Sequence, residues 1–274
     1  MSVVIATYNW SSVLRHAIRS ALWQTYPALE VIVVGDACTD DSEAVVRSFG
    51  DPRVRWDNLS ENSGNQALPN NRGIELARGE YVAYLGHDDL WLPTHLTHLL
   101  ATVERSGAGV AVAAVEALGP PGSNVLRLAA HRPDLAYRWR PPSAIVHRRD
   151  AVDEVGGWRD YRTIVDPPDI DFADRLIERF GLAHSLALTV CKFNSAWRKD
   201  SYKLRRDDEQ RLYAARIRRE RLFVERELAR FVWLRLRRPQ QSLPTTDPVP
   251  EDLPAGWHVR QFRRIRGLPE DPES

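Results

Sequence analysis

Apolar and polar residues alternate in blocks through the first hundred positions. Ser2 to Ala6 is a short β-branched run. Leu14, Ala17, Ile18, Ala21 and Leu22 then recur at helical spacing, with Ser11 or Ser12 placed to cap the helix and Pro27 beyond its end. Val31 to Val34 predicts a second buried strand, and Thr39 to Ser42 offers capping groups to a helix carrying Val45, Val46 and Phe49. A third strand is expected at Val54 to Trp56, then a helix from Gln66 with Ile74 and Ala77 inward. A fourth strand, Tyr81 to Leu85, ends in Gly86-His87-Asp88-Asp89. Strands alternating with crossover helices give an α/β fold, a Rossmann-like, mostly parallel sheet flanked by helices, whose ligands sit at the carboxyl ends of the strands.

Past residue 108 the alternation changes. Strand-like runs at Val110 to Val115, Ala144 to His147 and Leu186 to Val190, with a helix from Ile170 to Phe180, predict a smaller second lobe over 109–202, packed on the first sheet. One long helix is expected from Asp207 to Leu236, with Tyr213, Ile217, Val224, Leu228 and Phe231 on one stripe. Its segment, 203–238, holds 13 basic and 6 acidic residues. The Pro-rich tail, 239–274, reads as extended or poorly ordered, with Trp257, Phe262 and Ile265 available to dock.

Composition narrows the classes. A 274-residue chain with 43% hydrophobic and 27% charged residues is an ordinary globular protein, and a net charge of +1 excludes a general polyanion binder, so no nucleic acid is expected. Two cysteines build no disulfide framework, and the chain opens on a strand-like run, which points to a reducing, cytoplasmic setting. No run approaches the ~20 apolar residues that span a bilayer. The basic helix suits homodimerisation, peripheral contact with anionic lipid at the inner face of the membrane, or packing within the chain. The eight histidines include no HxxxH or HxH pair, so zinc is not expected, and Cys38 reads as a serine stand-in.

Three acidic clusters fall where a ligand would lie. Asp36, just past the second strand, can accept the imino N–H of a uracil or thymine ring; Asp36, Thr39 and Asp40 equally suit capping the next helix. Asp88 and Asp89 end a strand beside His87, and adjacent carboxylates there suit Mg²⁺ or Mn²⁺ on a diphosphate, or the cap of a following helix. Asp169 and Asp171 open a helix after Pro167-Pro168, where the helix dipole alone accounts for acids.

Taken in order, these clusters resemble the family 2 glycosyltransferases over residues 2–200. The resemblance rests on Val3-Val4-Ile5-Ala6-Thr7-Tyr8-Asn9, on Gly35-Asp36-Ala37-Cys38-Thr39-Asp40, and on Asn71-Arg72-Gly73-Ile74 with Ala77-Arg78-Gly79-Glu80-Tyr81 leading into a DxD-like segment at 86–89. Val155-Gly156-Gly157-Trp158 and Asp169-Ile170-Asp171 complete the series. The resemblance implies a GT-A fold with a nucleotide-sugar-binding half (1–108), an acceptor-side half (109–202), a C-terminal helix and a tail. It implies an inverting transferase that moves one sugar from a UDP or dTDP donor to an acceptor hydroxyl. Thr7, Tyr8, Asp36, Asn71 and His87 would then lie at the nucleotide, Asp88 and Asp89 at Mg²⁺ or Mn²⁺, and Asp169 would be the general base. Arg198 and Lys199, on a basic loop after the last strand, are candidate diphosphate contacts.

The chain departs from the family pattern at four positions. Gly86 replaces the first acid of the DxD motif, Gly35 the first acid of the Asp-Asp pair, Pro168 the Glu before the base, and Asn70 an Arg. His87 or Asp89 would compensate at the metal. The Gln-x-x-Arg-Trp signature of processive members is absent. Two other classes compete: a catalytically silent nucleotide-sugar-binding or assembly protein, and a sugar-phosphate nucleotidyltransferase, whose Gly-rich opening loop is missing here.

Overall fold

The computed structural model describes residues 1–119, 125–127, 140–237 and 253–272. The first strands and crossovers are β1 (Ser2–Thr7), α1 (Ser11–Leu22), β2 (Glu30–Gly35), α2 (Ser42–Arg47), β3 (Val54–Asn58), α3 (Ala67–Leu76) and β4 (Tyr81–Tyr84). β1 pairs in parallel with β2 and β4, and β2 with β3. The expected elements are all present, with ends moved by a residue or two. Capping differs. No side chain caps α1 from Trp10, its N-cap; instead Asp40 Oδ2 accepts from Ser11 N (3.1 Å) while its Oδ1 accepts from Ser42 N (3.1 Å). One carboxylate thus serves two helix N-termini, both of which favour negative charge.

The chain continues through β5 (Leu90–Trp91), α4 (His95–Ser106), β6 (Val110–Leu118), β7 (Val125–Arg127), β8 (Ile145–Arg148), α5 (Ala151–Val155), α6 (Pro168–Phe180) and β9 (Leu182–Phe193). β8 pairs antiparallel with both β4 and β6, β6 pairs in parallel with β9, and β5 closes the far edge. The strands expected in a separate lobe therefore extend the first sheet, in the order β3-β2-β1-β4-β8-β6-β9-β5, with β7 beside β6.

Val3 to Ile5 and Val31 to Val34 are wholly buried, as in a sheet covered on both faces. Val3, Ile5, Val31 and Val33 pack with α1 and α4; Val4, Ile32 and Val34 share the opposite face with Trp158 and with Phe172 and Leu176 of α6. This is the two-residue period of a strand filling two layers at once.

The long helix expected over 207–236 is divided. A short α7 (Ser201–Leu204) precedes α8 (Asp208–Arg219) and α9 (Phe223–Arg237). Glu220 leaves the helix at φ −88°, ψ 106°, and its carboxylate holds Arg216 at 2.9 Å. In an unbroken helix Phe223 would lie about 80° around from Tyr213. The break lets Tyr213, Ile217 and Phe223 bury together against Leu90, Leu118, Cys191 and Phe193. Packing within the chain is thus a role this region fills, while Leu212, Leu222, Val232 and Leu236 stay exposed.

The tail, expected to be extended, forms α10 (Trp257–Arg266). Val259 and Arg263 are its buried positions; Ile265, expected to dock, is exposed. Among the described residues no helix is long and apolar enough to cross a membrane.

Candidate functional site

The carboxyl ends of β1, β2 and β4 open onto one crevice. After β1, Asn9 takes φ 43°, and its Oδ1 accepts from Thr39 N (2.8 Å) and Asp40 N (3.2 Å). Asp36 N donates to Thr7 O (2.8 Å), so the ends of the two strands are clamped together. The Asp36 carboxylate does not cap α2; it is buried and accepts from Ser63 N (2.8 Å) and Gly64 N (3.2 Å). Burial lifts its pKa above the ordinary carboxylate range against those bonds. The Ser63 side chain also bonds this carboxylate, which keeps acceptor capacity for an incoming N–H.

At the end of β4 the two adjacent acids have different surroundings. Asp89 is fully buried: Oδ1 accepts from Phe193 N (2.9 Å), and Oδ2 meets Lys192 Nζ (3.1 Å) and Ser143 Oγ. Burial pushes its carboxyl up to about 6, against the pull of Lys192. These partners hold Asp89 to β9 and to the turn before β8. Asp88 lends only its backbone carbonyl to a described hydrogen bond, from Gln210 Nε2 (3.2 Å). Gly86 explains the missing acid: a Cβ there would stand 2.7 Å from Asp89 Oδ2 and 3.3 Å from Ser143 Oγ. Gly35 is similar, since its Cβ would come 2.7 Å from the Trp56 ring.

His87 is buried, with Nε2 3.2 Å from the Tyr202 hydroxyl and Nδ1 without a partner. Burial lowers its pKa in spite of Asp88. Tyr202, on α7, also packs against Trp10 (5.0 Å between centroids) and Tyr8 (6.3 Å). No sequence signal singled it out.

Asp169 lies in the first turn of α6 behind Pro168. Burial raises its carboxyl above the ordinary range, while Lys192, the amide of Ile170 and Arg266 pull the other way. The dipole argument alone leaves it an ordinary ionised acid; the structure makes it a more basic one. Asp171 is committed elsewhere, to Arg159 (3.1 Å) and Arg175 (2.8 Å).

Lys192 is the cation that joins the clusters. Burial pulls its pKa down, but Asp89 and Asp88 outweigh this and hold it above the usual lysine range. Its charge also acts on Asp169. Of the expected basic contacts, Arg198 binds Gly119 O (2.9 Å) and Glu209 (2.6 Å) and has a buried Nε without a described partner, and Lys199 is exposed. Asn71 is a clasp, not a free ligand. Its Nδ2 donates to Trp158 O (2.8 Å) and its Oδ1 accepts from Trp158 N (2.8 Å), tying α3 to the Gly156-Gly157 turn.

Several buried polar atoms of the crevice and its rim lack a described partner: Thr7 Oγ1, Trp10 Nε1, His87 Nδ1, Asn194 Nδ2 and Arg266 Nε. Unpartnered buried polar atoms of this kind are uncommon in native proteins. Among the described residues no three His, Cys, Asp or Glu side chains gather into a metal site. An ion of the Mg²⁺ type binds through one or two carboxylates plus substrate phosphates, and Asp88 fits that smaller requirement.

Comparison with known proteins accords with this geometry. The profile of Glycosyl transferase family 2 matches residues 2–155, stopping short of α6. An uncharacterized glycosyltransferase of Rickettsia typhi is 41% identical over 106 residues, 38% of this chain and 32% of that protein. The chain therefore matches about a third of that relative's length. S. aureus TarS 1–349 in complex with UDP-GlcNAc superposes with a TM-score of 0.61 at 20% identity, covering 70% of this chain and 58% of that one. The mannosyltransferase PcManGT of Pyrobaculum calidifontis, in complex with GDP-Man and Mn²⁺, gives 0.54 at 20% identity over 74% and 59%. Both likenesses show the fold, a GT-A glycosyltransferase architecture. With more than half of its length inside the family profile, the chain belongs to glycosyl transferase family 2.

Proposed function

We infer that this chain transfers one sugar, with inversion, from a nucleoside-diphosphate donor to an acceptor hydroxyl. The observation that supports the reading is Lys192, bonded to the buried Asp89 beside Asp88 at the end of β4 (3.1 Å), with Asp169 in the first turn of α6 within reach of its charge. Asp36 accepts the imino N–H of a uracil or thymine base, beside Thr7 and Tyr8. Asp88 holds Mg²⁺ or Mn²⁺, which when bound neutralises charge on the departing diphosphate as a Lewis acid. Lys192 adds a fixed positive charge at the same place. Asp169 takes the proton of the acceptor hydroxyl as its oxygen bonds to the anomeric carbon, and the carbon–phosphate-oxygen bond breaks on the opposite face. Asp89 positions Lys192 and the end of β9. TarS and PcManGT were solved with donors carrying different bases, so the fold alone leaves the base to these side chains.

The test is calorimetric titration with UDP, dTDP and GDP and their sugars, with and without Mn²⁺. Asp36→Ala should weaken uridine or thymidine nucleotides by one common factor, free diphosphate included, because the contact is to the base. Asp88→Ala should remove the Mn²⁺-dependent part of donor binding and leave the fold intact. Undiminished Mn²⁺-dependent binding in that variant removes Asp88 from the metal.

A further inference from the structure

The tail helix α10 is built into the mouth of the crevice. Its buried Arg263 donates through Nη1 to Gly64 O (2.7 Å), and Gly64 N is one of the two donors holding Asp36. Gly256, at its start, donates to Ile164 O (2.9 Å), and Asp271, past its end, accepts from the Tyr161 hydroxyl (2.8 Å). Ile265 O accepts from Asp200 N (2.8 Å) beside α7, which carries Tyr202. Gly267 permits the close approach there: at φ 82° its Cβ would stand 2.7 Å from Asp200 Oδ1. One helix thus touches the loop behind Asp36, the loop before α6 and the segment after β9.

Arg266 occupies the last turn of α10. Unlike Arg260, Arg263 and Arg264, which bind Asp271, Pro269 O and Glu270, it has a buried Nε with no partner. It follows Ile265, whose carbonyl accepts from Asp200 N (2.8 Å), and ends the helix whose Arg263 holds Gly64; its charge reaches His87, Asp169, Lys192 and Tyr202. A guanidinium with an open donor, within reach of a second cation, is suited to an anion such as a phosphoryl group, whose oxygens accept charge-assisted N–H bonds. The missing acid at Gly86 leaves fewer carboxylates to share a metal, so direct cationic neutralisation has more to supply.

We propose that Arg266 is a binding residue for the donor's diphosphate, working with Lys192, and that α10 is part of the donor site. This rests on the donor reading given above. The tail therefore matters to the family 2 fold in this chain although it lies outside the matched 2–155.

The experiment uses the full chain and titrates UDP, dTDP and GDP without divalent metal, taking forward the tightest together with its parent nucleoside and inorganic pyrophosphate. Arg266→Ala should lose at least about tenfold in affinity for the diphosphate and for pyrophosphate, with the nucleoside unchanged, as expected for loss of charge-assisted bonds. Arg266→Lys should fall between. Arg264→Ala, an exposed neighbour on the same helix, should match the wild type. Wild-type diphosphate affinity in Arg266→Ala overturns the proposal while leaving the donor reading intact. An equal loss for the nucleoside also overturns it, since the residue would then only dock the helix. If the wild-type chain binds none of the three diphosphates, the donor reading fails and this proposal with it.

Discussion

The four strands before residue 85 and the helices after residue 200 are fixed to the same sheet by different chemistry. β1 to β4 lie in parallel ladders between two apolar layers, and Asp36 at the end of β2 is held by the backbone amides of Ser63 and Gly64. In the later region charge does much of the joining. Glu116 of β6 and Glu227 of α9 share Arg230, Glu227 also takes Arg216 (2.6 Å), and Arg263 reaches across to Gly64. The first region is held by a repeating pattern and the second by a few individual pairs, so single substitutions should separate them.

The largest effect is expected where a buried charge lies beneath the regular half. Asp89→Ala takes the carboxylate partner from the part-buried Lys192 ammonium and leaves the buried Phe193 N without its acceptor, and an unsatisfied buried donor typically costs about 1–3 kcal/mol. Urea unfolding should show that loss; a midpoint near the wild type would mean that Lys192 finds solvent and that Asp89 is no framework residue. A second effect belongs to the charge-held region. Burial and the neighbouring Glu227 push the Glu116 carboxyl up to about 8. Between about pH 5 and 8 the folded chain keeps that proton while the unfolded chain releases it, so this group makes stability fall as pH rises, by at most ~1.4 kcal/mol per unit. Glu116→Gln should flatten the slope, and an unchanged slope would assign it to another group. The smallest effect is Asp40→Ala, which removes the shared cap of α1 and α2 and should cost about 1–2 kcal/mol in thermal unfolding. A loss below ~0.5 kcal/mol would show that Asp40 caps neither helix.

The same contrast decides what could be read from the sequence. β1, β2 and β4 were legible because their apolar runs are continuous, and continuity follows from burial on both faces. The break at Glu220 was not: Tyr213, Ile217 and Val224 keep helical spacing straight through it. What the break achieves is the joint burial of Tyr213, Ile217 and Phe223 against strand residues distant in sequence. α10 was read as tail because its composition is polar; its docking depends on Arg263 and Gly267, which carry no periodic signal. At the site, order and spacing single out Asp88 and Asp169 in the sequence, and the charge of Lys192 reaches both. Asp89 and Asn71 look like ligands in sequence, yet their partners are backbone groups and a lysine far along the chain. Tyr202 and Arg266 could be found only once the chain end was seen folded back.

The central claim is that Asp169 is the base of a sugar transfer, and turnover tests it most directly. Nucleoside diphosphate release from the best-bound nucleotide sugar should be followed in wild type, Asp169→Asn and Asp171→Asn across pH. Because burial raises the Asp169 carboxyl, wild-type activity should fall as pH drops through a value above the ordinary carboxylate range, where the base takes up its proton. Asp169→Asn should bind donor nearly as well as wild type and lose at least about 10²-fold in kcat, the usual scale for a positioned base. Asp171→Asn, whose carboxylate serves Arg159 and Arg175, should retain more activity. Wild-type turnover by Asp169→Asn, with Asp171→Asn inactive, would contradict the assignment and move the base to Asp171.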